Sequence, residues 1–151
     1  MAPQMEPAVP VTLDSVGPSH VSRKLRVAGL KVAYDTATDV MLLVDRVARA
    51  ALLVDCALCV GAEDAGGRST ARAWMKEEKA MVKVIGYLEE PAIPVRVPTV
   101  GRVVRALVAA DPDPRLVLKA LLVVDAPELD LAQWNVAIRE REEIGFGGVE
   151  S

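Results

Sequence analysis

RKLRVAGLKVAYD, residues 23–35, is the stretch that decides the fold. Leu25 and Val27 alternate with basic residues, which is the pattern of a strand with one buried face. Val27 and Leu30 lie three residues apart, so both can face the core only if a bulge at Gly29 absorbs one residue. A long first strand bent at a glycine suits a small closed β-barrel. The alternative is an ordinary glycine inside a regular strand.

The segments that follow predict four more strands and a C-terminal helix. Apolar runs bounded by turn residues predict strands over 40–45, 50–60, 79–89 and 115–125. Beyond Asp130 the apolar residues change to helical spacing, and the helix is expected to end at Gly145. Five strands and a helix, without βαβ alternation, predict an all-β barrel. The side chains expected to face its core include Leu25, Val27, Val32, Val82, Val84, Leu116, Leu118, Ala120, Leu122 and Val124.

The barrel domain is expected to span residues 20–144. Residues 1–19 are Pro-rich and predict an extended arm. Its expected contacts with the barrel are Val11, Leu13 and Val16. A polar, Gly-rich loop is predicted over 61–73 and a Pro-rich insertion over 90–114, and residues 145–151 form a short tail.

Composition narrows the class of protein. The formal net charge is −3 and aromatic residues make up 3% of the chain, whereas a free-standing nucleic-acid-binding module is usually basic. Any nucleic-acid role is therefore expected to be shared with a partner. With one histidine and no glycine-rich phosphate-binding motif, the sequence predicts neither an enzyme nor a cofactor. No apolar run is long enough for a membrane span and no secretory signal is apparent, so we expect an intracellular protein without membrane contact.

Cys56 and Cys59 form a C-x-x-C pair. Such a pair can be half of a zinc site or a redox motif, but a zinc site needs about four ligands and the one other soft ligand is His20. The expected role is structural, as two small side chains in or near the core, and no metal site is predicted.

The sequence also contains candidates for a surface that binds single-stranded nucleic acid weakly. Such surfaces combine cations with aromatic stacking platforms. The candidates are Lys24, Arg26, Lys31, Lys79, Lys83 and Tyr87, with Trp74 as a further possible stacker. The alternative is that these residues are solvated outer faces and core aromatics. In either case the isolated chain is expected to bind single strands weakly or not at all.

Three segments carry a resemblance to a known family. Residues 23–35 resemble the opening strand of the Ten-type smallest subunit of the CST (Ctc–Stn–Ten) telomere-capping complex, including Tyr34–Asp35 at the turn. KAMVKVIGYLEE at 79–90 resembles its fourth strand, and residues 117–143 resemble its fifth strand and helix. A similar helix entry occurs in the smallest subunit of replication protein A. The resemblance implies a five-stranded OB-fold barrel with a C-terminal helix.

The resemblance also implies a function. It implies a nuclear, non-enzymatic subunit at telomeres that binds an Stn-type OB-fold partner through its C-terminal helix. The wide apolar stripe of that helix favours two neighbours, and the predicted interface is Leu131, Trp134, Asn135, Ile138 and Arg141. A Ctc-type large subunit, single-stranded telomeric DNA and polymerase α–primase are the further implied partners. The alternatives are a structural subunit of replication protein A, and a protein–protein adaptor or viral structural β-domain without a nucleic-acid role.

Overall fold

The computed structural model describes residues 6–61, 73–101, 105, 108 and 110–149. The loop predicted at 61–73 lies almost wholly outside the described residues. The bounds of the strands are β1 (Val9–Pro10), β2 (Lys24–Asp35), β3 (Val40–Asp45), β4 (Ala50–Asp55), β5 (Ala80–Glu89) and β6 (Val117–Asp125). The helices are α1 (Ala57–Gly61), α2 (Ala73–Lys76) and α3 (Leu131–Val149). No described helix is both long and apolar enough to cross a membrane.

The strands form one sheet in the order β1-β2-β3-β4-β6-β5, and β5 pairs again with β2. This last pairing joins the two ends of the sheet, so β2 to β6 surround a common interior. Most neighbours are antiparallel, and β4 and β6 pair in parallel. The two-residue β1 pairs in parallel with β2 outside this circuit. The predicted all-β, OB-type architecture with a C-terminal helix is confirmed.

The interior is filled by one aliphatic cluster and closed by residues from outside the barrel strands. Leu25, Val27, Val82, Val84 and Leu118 are buried in it, as the sequence predicts. Val11 and Leu13 of the N-terminal arm join the same cluster. Trp74 of α2 is also buried there.

A second apolar cluster lies on the outside of the barrel, on what we call the covered face. Met41 and Leu43 point into the interior, so Leu42 and Val44 between and beside them point outward, yet both are buried. They are grouped there with Val32, Val40, Leu53 and Val117. Val95, Val100 and Val108 of the Pro-rich insertion pack against this cluster. The insertion therefore covers the outer face of β3 and β4.

The bulge in β2 is not at Gly29, as the sequence predicts. The pairing of β2 with β5 is regular from Lys24 to Lys31, and the shift in register against β3 falls between Lys31 and Ala33. Leu30 and Val32 consequently lie on the covered face. Val32 is buried, but the prediction that the two side chains face the core is wrong. Gly29 is needed because a Cβ there would lie 2.7 Å from Cγ of Leu43.

Two predicted boundaries are also wrong. The third predicted strand ends at Asp55 rather than continuing to 60, because the Asp55 carboxylate accepts a hydrogen bond from the backbone N–H of Ala57 (2.9 Å) and α1 begins there. The C-terminal helix continues beyond Gly145 to Val149.

Candidate partner-binding face

A bulge in β6 turns apolar side chains to the outside of the barrel. Gly86 pairs with Ala120 and Ile85 pairs with Leu122, so one extra residue of β6 lies between two consecutive residues of β5. Beyond this shift, Val123 is buried whereas Leu122 and Val124 are exposed. The prediction that Leu122 and Val124 face the core is therefore wrong, because it assumes an unbroken alternation along β6.

Gly86 permits this bulge. A Cβ at this position would lie 2.9 Å from the Cα of Ala120 and closer still to the carbonyl oxygen of Lys119. Both atoms belong to the backbone of β6, which cannot move aside as a flexible side chain can. The glycine thus allows the close approach of the two strands that turns Leu122 outward.

Helix α3 stands beside this surface, and its start is fixed by a side-chain cap. The Asp130 carboxylate accepts hydrogen bonds from the backbone N–H groups of Ala132 (2.9 Å) and Gln133 (3.2 Å), as an N-cap residue does. Leu131 and Ile138 are buried on one side of the helix.

A buried polar contact fixes the helix further. Asn135 donates through Nδ2 to Oδ2 of Asp45 at 2.8 Å, and both side chains are buried. Oδ1 of Asp45 also accepts from the N–H groups of Val47 and Ala48. A carboxylate buried in this way is costly unless it is hydrogen-bonded, so the contact favours one position of α3 on the barrel.

The helix and the bulged strand enclose a groove, which we call the open face. It has a volume of about 270 Å³ and is lined by Arg26, Lys83, Ile85, Leu122, Val124 and Trp134. The walls are aliphatic and aromatic, and two cations stand among the lining residues. Nε1 of Trp134 is buried and finds no hydrogen-bond partner among the described residues. The groove can therefore take an apolar segment that also carries a negative charge.

The structure divides the predicted helix interface into two sets. Leu131, Asn135 and Ile138 are buried in the single chain, where they hold α3 in place. Trp134 is partly exposed in the groove and Arg141 is exposed. The whole set stays a prediction as a partner interface, with Trp134 and Arg141 as the members that a partner can reach.

Most of the predicted nucleic-acid residues lie on one surface of the barrel. Lys24, Arg26, Lys83 and Tyr87 alternate with buried residues on β2 and β5, so they point outward. Lys79 is exposed in the bend before β5, at the opposite end of that strand from Tyr87. Their role in binding stays a prediction.

Lys31 does not share this surface. Its side chain is buried, and its Nζ donates to the carbonyl oxygens of Met75 and Glu77 at the end of α2. Burial lowers the pKa of Lys31, and the nearby Glu77 and Glu78 oppose that shift. The expectation that it faces solvent is wrong because the bulge follows this residue rather than preceding it.

Trp74 is not available as a stacking platform. It is buried, and its ring meets that of Tyr34 edge-on, with centroids 5.9 Å apart and planes at 65°. The Tyr34 hydroxyl donates to Oδ1 of Asp39 at 2.9 Å. Burial, reinforced by this hydrogen bond, raises the pKa of Tyr34 well above its usual value.

The two cysteines are free thiols. Cys56 is buried and Cys59 is partly buried, and desolvation raises the pKa of both thiols. A raised pKa reduces the thiolate fraction, and with it the tendency to ligate metal or attack a disulfide. Within the described part of the chain, no group of three or more His, Cys, Asp or Glu side chains could hold a metal ion.

Sequence reasoning missed the residues that form the groove outside the helix. Ile85, Leu122 and Val124 are ordinary core-type residues in apolar runs. The available signal was Gly86, since a glycine inside a strand indicates a bulge or a close approach of backbones. The same rule at Gly29 predicts a bulge that the structure does not have.

The topology and the terminal helix define an OB-fold protein. This chain is similar to a chain of the S. pombe Stn1–Ten1 complex, with a TM-score of 0.58 and 12% identity over 93% of this chain and 96% of that chain. It is also similar to the telomere capping protein Ten1 from Saccharomyces pombe, with a TM-score of 0.54 and 12% identity over 91% and 99% of the two chains. The resemblance to Ten-type subunits is thus confirmed for the fold. No family model and no curated protein matches the sequence.

Proposed function

We propose that this chain is a non-enzymatic subunit of a CST-type telomere-capping complex, and that it binds an Stn-type OB-fold partner with α3 and the open face. The observation that carries the proposal is the groove beside Trp134 on a fold shared with Ten1. A contiguous apolar patch on the surface of a protein often marks the place where another molecule binds.

The chemistry of the groove indicates the kind of surface that fits it. Aromatic anchors in partly desolvated pockets contribute a large share of interface energy. The partner's segment would therefore insert an apolar side chain against the exposed part of the Trp134 ring. Arg26 and Lys83 favour acidic residues on the same segment.

The wider role follows from the same proposal. The subunit would act in the nucleus at telomeres, together with a Ctc-type large subunit and single-stranded telomeric DNA. It would support the recruitment of polymerase α–primase for fill-in of the C-rich strand. Its net charge of −3 and its few aromatic residues suit a subunit that supports a DNA-binding partner.

The test is a binding measurement with the Stn-type subunit encoded by the same genome. Trp134→Ala is expected to weaken binding by about thirtyfold, or about 2 kcal/mol, while the far-ultraviolet circular dichroism stays unchanged. Leu122→Asp is a second variant that replaces an exposed side chain and leaves the core intact. Ile93→Ala is the matched control, because Ile93 is also an exposed apolar residue but lies in the insertion.

Full-strength binding by both folded groove variants would exclude the open face as the interface. Binding of the wild-type chain to the middle subunit of replication protein A, and not to an Stn-type subunit, would overturn the telomeric assignment.

A further inference from the structure

The surface that OB-folds usually present to nucleic acid is blocked in this chain. OB-folds bind oligonucleotides on the face of their second and third strands, which correspond to β3 and β4 here. That face carries aliphatic side chains such as Leu42 and Leu53, and residues of the insertion bury them. Among the described residues, this cluster offers a base no aromatic stacking partner, and the insertion packs over it. A single strand must therefore use another surface if it contacts this subunit.

A cation–aromatic–cation row lies on a different part of the barrel. Lys24 of β2 pairs directly with Tyr87 of β5, and Tyr87 pairs directly with Lys119 of β6. Residues directly opposite each other in antiparallel strands point to the same side, with Cβ atoms about 5 Å apart. All three are partly exposed, whereas their neighbours Leu25 and Leu88 are buried, so the row points outward.

We propose that Lys24, Tyr87 and Lys119 form a contact site for single-stranded nucleic acid. One base would stack on the Tyr87 ring, and the phosphates on either side of it would approach the two ammonium groups. Stacking on aromatics combined with phosphate contacts is how sequence-tolerant single-strand sites work. Sequence reasoning named Lys24 and Tyr87 as weak candidates but missed Lys119, because the pairing of β5 with β6 brings it to the row.

The position of the row suits a nucleic-acid site that this chain would share with its partner. The next row on the same surface is Arg26, Ile85 and Leu122, which belongs to the open face. On its other side, Glu89 lies two residues beyond Tyr87 and is exposed, so it would repel a phosphate. A bound strand would therefore run from the row toward the groove and onto the partner seated there. The row alone accommodates about one nucleotide. The path of the strand from the row onto the partner therefore rests on the proposed function.

The test measures binding of the full chain to a fluorescein-labelled oligothymidylate of about 12 nucleotides. Binding is monitored by fluorescence anisotropy at several salt concentrations, beginning at low ionic strength. Lys24→Gln combined with Lys119→Gln is expected to reduce the slope of log K against log salt by about 1.4, which is two phosphate contacts on a single strand. Tyr87→Leu is expected to weaken binding about tenfold. Tyr87→Trp is expected to restore it.

The matched control is Arg96→Gln combined with Arg105→Gln, which removes the same charge from exposed positions on the insertion. It is expected to leave the slope unchanged. An equal decrease of the slope in the control pair would contradict the proposed site. Absence of oligonucleotide binding by the wild-type chain at low salt would also contradict it.

The affinity of the same variants for the Stn-type subunit separates this inference from the proposed function. The row variants are expected to bind that partner normally. Loss of partner binding in Trp134→Ala, with oligonucleotide binding retained, would leave the two sites independent. Failure of the wild-type chain to bind any Stn-type subunit, with the row effects present, would reject the proposed function and keep the row.

Discussion

The covered face and the open face are both apolar surfaces on the outside of the same barrel, but the described residues cover only the first of them. Leu42 and Val44 on the covered face are 1% and 0% exposed, because the insertion packs over them. Leu122 and Val124 on the open face keep 50% and 42% of their exposure. The described residues thus bury one outer apolar face and leave the other exposed. This difference supports the proposal that a partner binds the open face.

The largest expected effect concerns the β6 bulge that exposes Leu122 and Val124 on the open face. Gly86→Ala places a Cβ against the backbone of Lys119 and Ala120, and neither atom can move without breaking the pairing of β5 with β6. We expect a loss of about 3 kcal/mol in the free energy of unfolding, measured by urea denaturation.

Gly101→Ala is the control for this variant, because a Cβ at Gly101 meets nothing within 4 Å. It is expected to change stability by less than about 0.5 kcal/mol. Equal stability of the two variants would show that β5 and β6 do not approach as closely at Gly86 as the structure indicates.

The fold can be predicted from the sequence wherever inward and outward side chains alternate along a strand without interruption. Leu25 and Val27 are buried as their spacing predicts, and β3 has the bounds that its turn residues predict. The rule fails at the two bulges, because a period of two cannot show where one residue is inserted. The predicted orientations of Lys31 and Leu122 are both wrong for this reason.

The candidate site was less predictable than the fold, because its parts come from distant segments. The helical spacing identified Trp134, but the groove also needs Ile85 and Val124 from two other strands. The row likewise needs the register that places Lys119 opposite Tyr87. The covering of β3 and β4 by the insertion could not be read from its prolines, since composition gives an extended segment but not the surface that it contacts.

The second prediction applies one substitution to both faces. Val95→Asp puts a carboxylate where the insertion packs on the covered face, and it is expected to cost about 2 kcal/mol of stability without changing partner affinity. Val124 is exposed in the groove, so Val124→Asp is expected to lower the free energy of unfolding by less than about 0.5 kcal/mol. The same variant is expected to weaken binding to the Stn-type partner about tenfold.

Thermal denaturation and a partner titration of both variants measure the two effects. Equal destabilisation by Val124→Asp and Val95→Asp would contradict the difference between the two faces, because the open face would then be part of the chain's own packing.

The smallest expected effect concerns the outer support of α3, the helix that forms one wall of the open face. Arg139 forms an ion pair with Asp14 of the N-terminal arm, with Nη2 3.2 Å from Oδ2, and both side chains are well exposed. Exposed pairs contribute little because water and salt screen them. Arg139→Gln is therefore expected to change the free energy of unfolding by less than about 0.5 kcal/mol and partner affinity by less than about twofold. The buried contact between Asn135 and Asp45 remains in this variant and is expected to keep the helix in place. Denaturation at low and high salt, with the partner titration alongside, checks this. A larger loss that disappears at high salt would mean that the arm, rather than the barrel, positions the wall of the open face.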